Sequence, residues 1–114
     1  MKTINKKWGT EKIIVNCSEY CGKLLVVQPN HTCSIHFHKH KKETFYVVSG
    51  SLKLFLIDTE TGGERINVLK RGEAITLEPL TPHRFESMYN TTCQFIEFAT
   101  HHEDSDSYRV TRSK

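Results

Sequence analysis

Apolar residues along this chain fall into short runs that either alternate with polar ones or crowd together, at positions 12–15, 23–28, 33–38, 44–48, 52–57, 65–69, 74–77, 83–88 and 92–99. Residues that favour turns separate them: Pro29-Asn30, Ser49-Gly50, Thr61-Gly62-Gly63-Glu64, Arg71-Gly72 and Tyr89-Asn90. Few runs are long enough for a useful helix, and no 3.6-residue period is sustained. Short strands at this spacing predict an all-β domain, an antiparallel sandwich or barrel. The run 52–57, Leu-Lys-Leu-Phe-Leu-Ile, is apolar at almost every position, so both of its faces are expected to be covered. A small barrel buries only its inner face, and an exposed apolar outer face usually finds a partner. A homodimer is therefore expected.

At 114 residues the chain has room for one core, and it is read as a single domain spanning 1–114, with its core at about 8–100 and a polar tail from Thr100. Nothing in it approaches the ~18 consecutive apolar residues of a membrane span. The opening Met1-Lys2-Thr3-Ile4-Asn5-Lys6-Lys7 is not followed by the apolar stretch of a secretory signal, so a cytoplasmic location is expected. Cys17, Cys21, Cys33 and Cys93 then read as free thiols. A net charge of +3, with acidic and basic residues mixed, argues against nucleic acid as a partner.

Chemistry concentrates in His36-Phe37-His38-Lys39-His40-Lys41-Lys42-Glu43. Residues two apart on a strand share a face, so His36 and His38 can present both imidazoles to one point. The lysine-rich 39–42 segment reads as a turn, and Glu43 opens the next strand beside them. Two imidazoles and a carboxylate begin a site for a first-row divalent metal. His83, after a second strand opened by glycine, is the candidate further ligand. His40 is read as solvent-facing, and His31, His101 and His102 as surface residues.

These residues resemble the cupin family. His36-x-His38-x4-Glu43-x6-Gly50 is similar to its first motif, and Gly72-x10-His83 has the spacing of its second. The resemblance runs from about Trp8 to Arg109 and implies a double-stranded β-helix, or jelly roll. There are departures: Asn30 stands where the first motif opens with glycine, and Glu78, Leu80 and Ser87 replace Pro, Gly and Asn of the second. Within the family, Lys7-Trp8-Gly9 and the Glu97-bearing last strand with its acidic tail resemble type II mannose-6-phosphate isomerases. His36-x-His38-x2-Lys41-x-Glu43 is similar to the metal motif of D-lyxose isomerases.

That resemblance implies one divalent transition metal (Mn, Zn, Fe, Co or Ni) on His36, His38, Glu43 and His83, and aldose–ketose isomerisation of a sugar or sugar phosphate of the mannose/lyxose type. Lys41 would polarise an oxygen, unless it is a solvated turn lysine. Glu97, on an apolar strand, would be a buried carboxylate base, unless it faces outward or is salt-bridged. Arg84 and Arg109 are candidates for hydroxyl or phosphate contacts, and Tyr46 for lining the pocket. Two other classes compete: a non-catalytic sugar- or sugar-nucleotide-binding cupin, and an iron-dependent cupin dioxygenase, against which Glu43 counts.

Overall fold

The structure is a computed structural model, and it describes residues 1–110. In chain order its strands are β1 (Lys2–Lys6), β2 (Gly9–Asn16), β3 (Cys21–Val27), β4 (His36–Phe37), β5 (Glu43–Ser49), β6 (Ser51–Ile57), β7 (Glu64–Lys70), β8 (Ala74–Leu77), β9 (His83–Ser87), β10 (Cys93–Ala99) and β11 (Tyr108–Arg109). A 3-10 turn, Asp104–Asp106, precedes β11. The strands form two antiparallel sheets, ordered β1-β2-β3-β10-β5-β8 and β11-β4-β9-β6-β7. Neighbours far apart in sequence, such as β3 beside β10 and β4 beside β9, give the jelly roll.

Alternation along the strands builds the core. On β6, Leu52, Leu54 and Leu56 are buried while Lys53, Phe55 and Ile57 face the other way. The full apolar run therefore does not mean two equally covered faces. Its outer face is half-covered, in part because the Arg84 guanidinium lies 5.1 Å over the Phe55 ring. Phe45, Phe85 and Phe95 meet at the centre with ring centroids 4.9–6.4 Å apart, and Trp8 packs edge-on against Phe85 at 5.0 Å. Aromatic residues in edge-to-face pairs fill the space where the sheets approach. Tyr46, Val48 and Phe98 are exposed on the outer surface of the larger sheet. Among the described residues no helix is long and apolar enough to cross a membrane.

Two strands lie outside the predicted runs, β1 and β11. Both are edge strands, paired on one side only, and an edge needs little apolar pattern. The polar tail is accordingly part of a sheet: β11 pairs with β4, and the Val110 N–H donates to the Ile35 carbonyl at 2.7 Å.

Turn chemistry explains some of the departures from the cupin motifs. Gly50 joins β5 to β6 at φ +75°, and a Cβ there would meet the Thr92 carbonyl oxygen at 2.5 Å. Asn30, in place of glycine, sits at φ +62°, a conformation asparagine tolerates. Leu80 has no such tolerance, yet it sits at φ +70° while its N–H donates to the His38 carbonyl at 2.6 Å. Leucine pays about 1–2 kcal/mol for that conformation, whereas glycine loses about 0.5–1 kcal/mol of chain entropy. Leu80 is also half exposed, so little packing is lost on removing its side chain. Leu80→Gly is expected to stabilise the fold by roughly 0.5–1 kcal/mol, seen as a higher urea midpoint at unchanged slope.

Candidate metal centre

The two sheets bring the sequence-separated histidines together. His36 on β4 is paired directly with His83 on β9, and their rings lie 4.4 Å apart between centroids. His38 falls just beyond the end of β4, but its ring is still 5.3 Å from that of His36. The ligand nitrogens of His36, His38 and His83 all lie within 4.8 Å of one another. Glu43, the first residue of β5, enters from the other sheet, with its carboxylate 3.1 Å from His83 Nε2 and 3.6 Å from His38 Nε2.

Hydrogen bonds fix how each ring is presented. His36 Nδ1 lies 2.9 Å from the Ser34 carbonyl, His38 Nδ1 2.7 Å from that of Asp106, and His83 Nδ1 2.8 Å from that of Thr81. A carbonyl oxygen only accepts, so each Nδ1 carries its proton and donates. In the neutral rings each Nε2 is therefore a lone pair, and these lone pairs converge with Glu43. His83 Nε2 is buried without a hydrogen-bond partner, and Glu43 Oε2, also without one, has the Lys41 ammonium 3.2 Å away. Burial, with the neighbouring imidazole of His83, takes the His36 pKa down to about 3. Burial and the Lys41 charge take that of His38 down to about 4. Burial alone would raise the Glu43 carboxyl, but the His83 imidazole, when protonated, and the Lys41 ammonium outweigh it and hold it well below the usual range. Three imidazole nitrogens and a carboxylate oxygen grouped in this way would suit a divalent transition metal.

Beside this centre the chain buries more charge. Lys41 Nζ lies 3.2 Å from Glu43 and 3.0 Å from Glu97, and it is itself buried. It is thus no solvated turn residue: its backbone belongs to the turn, but its side chain points inward. Burial pulls the ammonium pKa down, yet Glu97 and Glu43 more than offset this and raise it. Glu97 follows Cys93 and Phe95 on the inward face of β10, where burial and the Glu43 charge push its carboxyl above the usual range. His102 accepts from Lys41 Nζ at its Nδ1 (3.2 Å) and donates from Nε2 to Asp104 (2.9 Å). A second buried pair, Lys23 and Glu11 at 3.0 Å, continues the polar wall.

These groups line a cleft of about 670 Å³ that also includes Trp8, Lys6, Lys7 and Arg109. Of the expected site residues, His36, His38, Glu43, Lys41, Glu97 and Arg109 line it, and His83 Nε2 meets its ligand group. Tyr46 and Arg84 do not. Inward residues on β5 are Glu43, Phe45 and Val47, so Tyr46 faces out; on β9 His83, Phe85 and Ser87 point in, so Arg84 lies outside over Phe55. His102 was expected at the surface but is half-buried against Lys41. Lys23 was legible by parity, being in phase with Leu25 and Val27, whereas nothing local marks Glu11, His102 or Asp106.

With the geometry established, the family follows. Residues 23–99 match the cupin domain, and the chain belongs to that family. It is also similar to a D-lyxose/D-mannose isomerase of Thermosediminibacter oceani, 31% identical over 124 aligned residues that cover 90% of this chain and 68% of that protein. Among solved structures it resembles the capsular polysaccharide assembling protein CapF from Staphylococcus aureus, with a TM-score of 0.86 at 17% identity over 96% of this chain. Oxalate decarboxylase from Bacillus subtilis is similar, with a TM-score of 0.85 at 16% identity over 96% of this chain. The chain spans 32% and 30% of those two structures, and at such identities the likeness shows the fold alone.

The depressed histidines give a pH dependence whose sign is fixed. Unfolded imidazoles titrate near 6.5, and folded His36 and His38 near 3 and 4, so in between the unfolded chain binds more protons. Their contribution to stability is whole above the unfolded value and is lost as pH falls below it. The metal-free protein is expected to lose more stability between about pH 6.5 and 4.5 than the His36→Gln/His38→Gln variant. Urea unfolding at each pH measures this, and equal slopes would refute it.

Proposed function

We propose that this cupin is a metal-dependent aldose–ketose isomerase acting on a sugar or sugar phosphate of the lyxose/mannose type. The observation that carries the reading is the Lys41 ammonium, held between Glu43 of the metal set and a second buried carboxylate, Glu97. A metal site that only binds ligand has no need of a buried, proton-transferring carboxylate beside it, whereas isomerisation does. The 31% identity to a D-lyxose/D-mannose isomerase supports the same reading.

His36, His38, Glu43 and His83 would hold one divalent ion, of Mn, Zn, Fe, Co or Ni. Bound there, it would supply Lewis acidity to the adjacent C1 and C2 oxygens of an open-chain sugar. The protein's own residues do the rest. Glu97, with a carboxyl raised above its usual range, takes the proton from C2 of the aldose and returns it to C1, while the hydroxyl proton passes from O2 to O1. Lys41 donates hydrogen bonds to the oxygens on which charge develops and keeps Glu97 oriented. The cleft, about 670 Å³, has room for a pentose or hexose. Lys23, Glu11 and Trp8 wall it, and Arg109, Lys6 and Lys7 stand at its rim to meet hydroxyls or a phosphate.

Protein purified without chelator is expected to carry about one equivalent of a divalent transition metal, lost in His38→Ala, by elemental analysis. A panel of aldoses, with and without terminal phosphate, then tests turnover. Glu97→Gln is expected to keep the metal and lower kcat about 10²–10⁴-fold. Ligand-induced stabilisation without any product would replace the isomerase with a sugar-binding cupin, and oxygen consumption with bound iron would replace it with a dioxygenase.

A further inference from the structure

One buried acid takes no part in the proposed chemistry, yet it makes more contacts to the site than several residues that do. Asp106 ends the 3-10 turn in the C-terminal segment, beyond the 23–99 region that matches the cupin domain. Its carboxylate accepts three consecutive backbone N–H groups: Lys39 at 2.8 Å, His40 at 3.1 Å and Lys41 at 3.1 Å. Its backbone carbonyl accepts the Nδ1 proton of His38 at 2.7 Å. Burial pushes the Asp106 carboxyl up, but the three amides outweigh this and hold it below the usual range.

The arrangement spans the two parts of the site that the core cannot fix. β4 stops at Phe37 and β5 begins at Glu43, so His38 and Lys41 lie on backbone outside any strand. A turn of consecutive lysines and a histidine would be pushed apart by its own charges and drawn to solvent. Asp106 places a negative charge at its centre and satisfies the N–H groups the ladder leaves open. β11, pairing with β4, holds Asp106 in register; the Tyr108 ring stacks on Phe37 at 5.2 Å, and Lys39 Nζ lies 4.7 Å from its centroid.

We infer that Asp106 is the positioning residue of this centre: it fixes the 38–42 turn so that His38 presents Nε2 to the ligand group and Lys41 reaches Glu43 and Glu97. The inference rests on the metal reading above for its consequence, and on the hydrogen bonds alone for its geometry. The C-terminal segment is then part of the site and not an appendage to it.

Asp106→Ala tests this in the full chain. Zn²⁺ affinity, measured by competition with a chelating dye, is expected to weaken about 10–100-fold, as for the loss of a group that orients a ligand. Nitrogen NMR of the metal-free protein is expected to show His38 losing its Nδ1–H tautomer, while His36 and His83 keep theirs, which a general loosening of the fold would not produce. If Asp106→Ala does not fold, Asp106→Asn, which keeps one acceptor oxygen, is expected to show the same changes in smaller measure. A folded variant with Zn²⁺ affinity within about twofold of wild type overturns the inference. If the wild-type protein takes up no Zn²⁺, the proposed function fails by itself. The His38 tautomer then decides: its loss in the variant supports the role of Asp106, and its retention overturns it.

Discussion

Each of His36, His38 and His83 spends its Nδ1 proton on a backbone carbonyl, and everything else about the site depends on that. With those protons committed, the free face of every ring is a lone pair, and the fold turns these lone pairs toward one another and toward Glu43. Lone pairs and a carboxylate brought together in this way repel one another, which a cation among them would offset. The carbonyls that hold the rings come from an irregular segment, a loop and the C-terminal turn, while the ligands themselves come from both sheets. The ligand group is therefore assembled only when the sandwich closes.

The same economy governs the buried charges next to it. Lys41, Glu43 and Glu97 would each be costly to bury alone, and the group is tolerated because one ammonium serves two carboxylates. Three groups that cannot be separated without stranding a charge are poor candidates for stabilising the fold, since apolar side chains would fill the same volume at less cost. Their retention in the wall of a cleft, with the pKa of Glu97 raised by its surroundings, suits chemistry better than architecture.

Much of this was legible in the sequence because a strand has a period of two. The parity of β5 puts Glu43 with Phe45 and Val47, that of β10 puts Glu97 with Cys93 and Phe95, and that of β9 puts His83 with Phe85. The same rule, applied to every candidate, turns Tyr46 and Arg84 outward, because each sits beside an inward residue and adjacent residues on a strand point to opposite faces. The edge strands β1 and β11 were hidden for a different reason. With one side in solvent they carry no apolar signature, and their place is set by backbone pairing, to which any sequence without proline can contribute.

Sequence by itself determined the all-β class and most of the strand runs, and it singled out His36, His38, Glu43 and His83 as candidate ligands through alternation, spacing and the resemblance to the cupin motifs. Tertiary structure alone decided that Lys41 leaves a lysine-rich turn to lie between two carboxylates, that His102 backs it, and that Asp106 holds the turn from 65 or more residues away. The reason is physical: a local pattern records which face a side chain takes relative to its own strand. Whether a charge can be buried depends on which opposite charge, from how distant a segment, arrives to meet it.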